Sequence, residues 1–212
     1  MEGLGPEEWQ AVWLSVRVAA TATLFSVPLG LLAALALARG RFPGRWAFNI
    51  LVHSPLIMPP VVTGYLLLLA FGRKGPLGAF FDEVFGLVFA FRWTGAALAA
   101  GVMGFPLVVR AIRLAIEAVD PRLEEAAATL GASRWRIFAT VTLPMILPGI
   151  LAGAVLGFAK GLGEFGATIT FVSNIPGQTR TLPLAIDAAL DVPGAEPLAL
   201  RLAVVSVVLA AA

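Results

Sequence analysis

Lys160 and Glu164 are the two ionisable side chains best placed for chemistry, because they interrupt an otherwise apolar stretch of the chain. Lying four residues apart, they share one face of a predicted helix. Ionisable groups within a membrane span usually face a pathway or a partner. The alternative is that both groups lie at the end of a span and extend into the lipid headgroups. Gly161, Gly163 and Gly166 predict close approach of a second helix here.

The sequence offers little for enzymatic chemistry. It has no Cys and a single His, His53, which excludes disulfides, thiolate metal sites and Cys nucleophiles and disfavours a His-based metal site. Neither H-E-x-x-H nor G-x-S-x-G occurs, so an intramembrane enzyme is not supported. Without a G-x-x-x-x-G-K-[ST] phosphate loop, the chain cannot hydrolyse ATP by that chemistry. We therefore expect no catalytic residue, no metal site and no cofactor in this chain.

The composition is that of an integral membrane protein. Of 212 residues, 59% are hydrophobic and 13% are charged, whereas soluble domains are about half apolar and about a quarter charged. We expect one all-α transmembrane domain over residues 1–212. The formal charge of +2 reflects basic residues that flank spans, so nucleic acid is not an expected partner. The acidic N-terminus lacks the basic region of a signal peptide.

Five spans are predicted, with approximate bounds 11–38, 47–71, 93–109, 141–165 and 198–212. The aromatic segment 72–92 is expected to lie in the membrane interface. The residues after Leu202 are too few to cross a bilayer by themselves. Either the last helix starts near Gly194, or a basic C-terminal tail has been removed.

The arginines predict the orientation of the chain. Two connections that lie on the same side of the membrane hold most of them: Arg39, Arg41, Arg45, Arg110, Arg113, Arg122, Arg134 and Arg136. The positive-inside rule makes that side cytoplasmic and places the N-terminus outside.

The polar insert between spans three and four, about residues 116–140, is predicted to form two short helices. Asp120 and Pro121 are typical of a helix start, and Gly131 is suited to a left-handed turn at its end. Ser133 is a candidate cap for the second helix. The apolar stripe Leu123, Ala127 and Leu130, flanked by Glu124 and Glu125, suits a groove on a partner protein. An ordinary connector in the headgroup layer is the alternative.

These residues resemble a known family. Glu125-Ala126-Ala127, Gly131 and Val141-Thr142-Leu143-Pro144 are similar in type and spacing to the EAA loop of ATP-binding-cassette importer permeases, with Val141 in place of Ile as the departure. The resemblance implies a type I ABC importer permease fold whose cytoplasmic coupling helix docks on a separate ATPase. The residues that it assigns to coupling are Glu124, Glu125, Ala126, Ala127, Leu130, Gly131, Leu143 and Pro144.

A narrower resemblance, to the permeases of molybdate and sulfate importers, covers nearly the whole chain. The stretch 164-EFGATITFVSNIPGQTRTLP-183 is most similar to the molybdate branch. It implies a homodimer of five-span subunits in a bacterial or archaeal cytoplasmic membrane. It also implies two ATPase subunits, which carry the ATP and Mg, and a molybdate-binding protein on the outer side.

Hydroxyls, backbone N–H groups and a modest positive field suit a tetrahedral dianion. The residues expected to line the path or gate are Ser54, Pro59, Pro60, Lys160, Glu164, Thr168, Thr170, Ser173 and Asn174. A charged, unpaired Glu164 would repel a dianion, so a structural or gating role with Lys160 is favoured. The alternatives are a sulfate or tungstate permease and, in a different class, a proton-coupled secondary transporter with Glu164 as the proton carrier. The absence of an internal repeat disfavours the second.

Overall fold

The computed structural model describes residues 5–211, which fold into helices with no strand among them. The helices, in chain order, are α1 (Pro6–Arg39), α2 (Arg45–Ile57), α3 (Pro60–Phe71), α4 (Pro76–Phe85), α5 (Trp93–Glu117), α6 (Pro121–Thr129), α7 (Arg134–Ile137), α8 (Leu143–Leu162), α9 (Gly166–Val172), α10 (Leu182–Leu190) and α11 (Glu196–Ala211). One turn of π-helix, Phe138–Thr142, joins α7 to α8.

Three long helices, α1, α5 and α8, pack against one another at the centre of the molecule. Their contact depends on small residues, as is usual between helices in lipid. Val108 of α5 is fully buried, and a Cβ added to Gly30 of α1 or to Gly157 of α8 would lie 2.8 Å from its side chain. The glycines therefore let both neighbouring helices close around Val108.

The second predicted span is broken into α2 and α3, whose axes bend by 117°. The break lies at Met58-Pro59-Pro60, where Met58 and Pro59 are extended, with ψ angles of 144° and 135°. A residue that precedes proline is driven out of the helical region, and neither proline donates a backbone hydrogen bond. The predicted span over residues 47–71 is therefore built from two helices that point in different directions.

The boundaries of the third and fourth predicted spans also differ from the helices. Helix α5 continues past residue 109 to Glu117, where an ion pair of 2.8 Å between Arg113 and Glu117 supports its last turn. The fourth span begins earlier, because Arg134–Leu162 is one continuous helical stretch. It ends at Leu162, and a break at residues 163–165 separates α8 from α9.

Among residues 5–211, three helical stretches are long and apolar enough to cross a membrane, and the bent α2–α3 pair is a fourth candidate. The three are Pro6–Arg39, Trp93–Glu117 and Arg134–Leu162. Helix α11 begins at Glu196, close to the predicted start near Gly194, and its 16 residues are fewer than the about 20 of a typical span. Five spans stay a prediction.

Candidate functional site

The first candidate site is the helical element of residues 120–142, and local interactions account for its shape. The side chain of Asp120 accepts a hydrogen bond of 2.9 Å from the backbone N–H of Arg122 and caps α6. Ser133 caps α7 by accepting from the N–H of Arg136 at 3.4 Å. Gly131 has a φ of +81°, a conformation that is costly for a residue with a Cβ. The predicted caps and the glycine turn are confirmed.

Glu124 ties this element to two long helices. Its carboxylate accepts hydrogen bonds from Arg39 Nη1 at 2.6 and 2.7 Å, at the C-terminal end of α1. It also accepts one from the Thr142 hydroxyl, at the last residue of the π-turn. Only 19% of the Glu124 side chain is exposed. Glu124 therefore faces the membrane helices, and not the outer surface of α6.

The electrostatics of Glu124 agree with this position. Burial alone would raise its pKa, but hydrogen bonds from Thr142 and Arg39 and the positive charge of Arg39 together lower the pKa of this carboxyl below its ordinary value. The carboxylate is thus held in its charged form, as a charge-assisted hydrogen-bond acceptor requires.

The outer surface of the element exposes two large apolar side chains. Leu130 and Trp135 are 88% and 83% exposed, and Glu125 and Ala126 are also exposed. Ala127 is half-buried. We call Glu125, Ala126, Leu130 and Trp135 the outer face of the element. Two large apolar side chains in a polar segment are what a protein-binding surface needs.

Leu143 and Pro144 lie where the element enters α8. Leu143 packs against the buried cluster around Ile112 and Ile146, whereas Pro144 is exposed. Pro144 has no N–H to donate to the Thr140 carbonyl, and the π-turn lies directly before it. These two residues therefore anchor and shape the junction, and they do not join the outer face.

The second candidate site is the junction of α3 and α9, beside the break after α8. Lys160 Nζ lies 2.7 Å from Glu164 Oε2, and Ala167 N–H donates to Glu164 Oε1 at 3.1 Å. The Glu164 side chain is 2% exposed and that of Lys160 is 31% exposed. The predicted contact between the two side chains is confirmed, although Glu164 lies in the break after α8 and not on the same helix as Lys160. The headgroup alternative is wrong for Glu164, because its carboxylate is enclosed by protein.

Helices α3 and α9 approach closely through glycines. A Cβ on Gly166 would lie 2.8 Å from Pro60 Cβ, and one on Gly64 would lie 2.9 Å from Thr170 Cβ. Pro60 and Thr170, both predicted to line the path, therefore lie at the contact between these two helices. A Cβ added to Gly163, also predicted to allow close approach, would meet only the Ala159 carbonyl oxygen of α8, at 3.8 Å, among the described residues.

The other predicted path residues have varied surroundings. Ser54 donates to the Leu51 carbonyl of its own helix, and Pro59 is exposed at the bend. Thr168 is 1% exposed within the α3–α9 region. The Ser173 carbonyl accepts from Thr179 Oγ1 at 2.9 Å. Asn174 donates to the Leu184 carbonyl at 3.0 Å and accepts from Arg180 Nε at 2.9 Å. Ser173 and Asn174 therefore hold the loop after α9 in shape.

Comparison with known proteins identifies the family. Residues 26–212 match the family described as binding-protein-dependent transport system inner membrane component. The chain belongs to this family. The molybdenum transport system permease protein ModB of Escherichia coli K12 is 58% identical over 203 residues, which are 96% of this chain and 89% of that protein. The ModB of Haemophilus influenzae is 54% identical over 202 residues, which are 95% and 88% of the two chains.

The fold agrees with this assignment. The crystal structure of a bacterial ABC transporter that imports the acidic polysaccharide alginate superposes with a TM-score of 0.75 and 20% identity, covering 98% of this chain and 76% of that one. The predicted all-α fold of a type I ABC importer permease is confirmed. This inner membrane component is thus a multi-pass transport subunit of a binding-protein-dependent system.

The structure adds residues to the sites of this inner membrane component. Trp135 belongs to the outer face, and its signal in the sequence was a large apolar residue within a polar insert. Arg39 and Thr142 bind Glu124, but no pattern in the nearby sequence connects them to it.

At the second site, the hydroxyl of Thr63 on α3 is buried without a hydrogen-bond partner in the described part of the chain. Among residues 5–211, no group of three His, Cys, Asp or Glu residues is arranged to hold a metal ion.

Proposed function

We propose that this chain is the permease subunit of an ATP-driven molybdate importer. The observation that carries the proposal is the 58% and 54% identity to the two molybdenum permeases over nearly the full length of each chain. Membership of a binding-protein-dependent family supports a separate substrate-binding protein as the source of molybdate. The complete importer then comprises two copies of this chain, two ATPase subunits with their ATP and Mg, and the binding protein.

The energy for transport comes from the ATPase, which docks on the outer face of the element 120–142. Two features support this assignment: the resemblance of residues 125–144 to an EAA loop and the exposure of Leu130 and Trp135. The docked face is cytoplasmic, since eight arginines lie on that side. The N-terminus of α1 is then outside. Five spans per subunit complete this topology.

The translocation path runs beside the α3–α9 junction, between two copies of the chain. Hydroxyls and helix ends there suit a tetrahedral dianion that is bound weakly enough to be released. The positive charge of Lys160 neutralises the negative charge of the buried Glu164 carboxylate, so the carboxylate does not repel the anion. The pair fixes the start of α9 and acts as a gate or its support.

Uptake into proteoliposomes tests the substrate. Vesicles that hold the permease, the ATPase and internal ATP should accumulate radiolabelled molybdate only when the binding protein is added outside. We expect unlabelled tungstate to compete strongly and sulfate weakly. Stronger competition by sulfate than by molybdate would assign the chain to sulfate transport. Proton-driven uptake without the ATPase would overturn the proposal in favour of a secondary transporter.

Substitution of Glu124 with Gln tests whether the Arg39–Glu124–Thr142 contact transmits the docking movement. Hydrogen bonds to a charged group are each worth about 1.5–3 kcal/mol, so we expect molybdate uptake per ATP hydrolysed to fall about tenfold while the ATPase stays bound. The matched control is Glu117→Gln, which removes an exposed ion pair with Arg113 and should change the ratio less than twofold. Equal ratios in the two variants would refute the transmission role.

The pH dependence of this contact has a defined sign. The pKa of Glu124 is lowered in the folded chain. Its contribution to folding stability is therefore complete above the ordinary Glu pKa of about 4.3, and it is lost as the pH falls through the lower pKa of the folded chain. Assays at neutral pH therefore compare the fully charged contact with the Gln variant.

A further inference from the structure

Helix α1 is longer than a membrane span requires. Its 34 residues extend about 51 Å at 1.5 Å per residue, against a hydrocarbon core of about 30 Å. The stretch from Arg17 to Arg39 alone rises about 33 Å, which matches that core. Arg39 lies beside α6 at one surface of the membrane. The turns before Arg17 therefore project out of the hydrocarbon region at the other surface.

These projecting turns form one wall of a pocket of about 390 Å³, and the loop after α9 forms the other. Its lining combines the charged and polar side chains of Glu7, Gln10, Arg17 and Arg180 with apolar residues such as Trp13 and Leu14. The pocket lies on the side of the molecule away from the ATPase docking face. Glu7 and Arg17 are exposed, and Arg180 is half-buried.

Both arginines are held in place, and neither has a carboxylate partner among residues 5–211. The Arg17 guanidinium lies 3.8 Å from the centre of the Trp93 ring. Arg180 Nε donates to Asn174 Oδ1 at 2.9 Å. Glu7 is the acidic residue of the lining, and it is exposed and forms no ion pair in the described part of the chain. The pocket therefore has a positive excess.

We propose that this pocket receives acidic side chains of the substrate-binding protein. The proposal rests on the proposed function, which brings that protein to this face. Pre-positioned arginines lose little conformational entropy on binding a carboxylate. A volume of about 390 Å³ is in the range of pockets that hold drug-sized molecules, and a four-oxygen anion would leave most of it to water. A segment of a protein surface fills it better.

The test compares Arg17→Gln/Arg180→Gln with Arg92→Gln in nanodiscs that hold the permease and its ATPase. Arg92 is exposed beside Trp93, so it is a matched cation outside the pocket. The affinity of the fluorescently labelled binding protein is measured at low and high salt. We expect the double variant to weaken binding at least tenfold and to reduce its salt dependence, and Arg92→Gln to change it less than twofold. The variant Arg17→Lys/Arg180→Lys keeps both charges. Its affinity for the binding protein should lie between those of the wild type and the double Gln variant.

The outcomes separate this proposal from the proposed function. If the wild-type complex imports molybdate and binds the protein, but the double variant binds it with unchanged affinity, the pocket assignment alone fails. If the wild type neither binds the protein nor takes up molybdate, the proposed function fails. The same nanodiscs are titrated with sodium molybdate and sodium sulfate without the binding protein, and Trp fluorescence is recorded. Anion binding that the double variant abolishes, with protein affinity unchanged, would replace the docking role with a small-anion site.

Discussion

Replacement of Leu130 with Asp should abolish ATP-driven molybdate uptake while the permease remains folded. Leu130 is 88% exposed, so the isolated chain loses almost no packing. On the ATPase, the new carboxylate would be buried without a partner, which is costly. A central apolar contact of this kind is worth at least about 2 kcal/mol, or about a 30-fold loss of affinity.

Co-purification and uptake check this prediction together. The matched control is Leu190→Asp, because Leu190 is also exposed, at 63%, but lies on α10 away from the outer face. We expect Leu190→Asp to retain the ATPase and Leu130→Asp to lose it. Gly131→Val should also weaken binding, since valine is strained at a φ of +81°. Normal ATPase recovery with Leu130→Asp would show that α6 is not the docking helix.

Replacement of Glu164 with Gln should destabilise the permease by about 2–4 kcal/mol. Breaking a fully buried ion pair costs about 3–5 kcal/mol, and the effect is smaller here because Lys160 is 31% exposed. Gln retains an oxygen that can accept the hydrogen bond from the Ala167 N–H. The loss of stability therefore measures the ion pair with Lys160 and not the hydrogen bond that caps α9. The free energy of unfolding in mixed micelles measures it.

A double variant distinguishes stability from gating. Lys160→Met/Glu164→Gln removes both charges, so we expect it to recover most of the lost stability. If the pair also serves the gate, this stable double variant will still import molybdate more slowly than the wild type. A cost below about 0.5 kcal/mol for Glu164→Gln, the usual size of a surface substitution, would mean that the pair contributes nothing to the fold.

The sequence predicted the features that depend on near neighbours. Asp120, Gly131 and Ser133 act through backbone groups within a few positions, and each was found in its expected role. The spacing of Lys160 and Glu164 likewise determined their pairing. Such interactions join residues only a few positions apart and need no knowledge of the rest of the fold.

Features that depend on distant residues could not be predicted. Glu124 turns inward because Arg39, 85 positions earlier in the chain, lies beside it in the folded molecule. Pro59 and Pro60 indicated irregularity, but the 117° bend also requires α3 to pack against α9. The hydrogen bonds of Asn174 to Leu184 and Arg180 likewise depend on how the loop after α9 folds back, and its place on the path stays a prediction.

Helix α1 has a consequence for how the two partners of this permease communicate. It is one unbroken helix whose end at Arg39 contacts the element proposed to dock on the ATPase and whose beginning lines the arginine pocket. If binding at either end shifts α1 between two positions, each partner changes the affinity of the other, and the two changes are equal by thermodynamic necessity. A binding protein that tightens the association of the ATP-bound ATPase by some factor must itself be held more tightly, by the same factor, when that ATP-bound ATPase is associated.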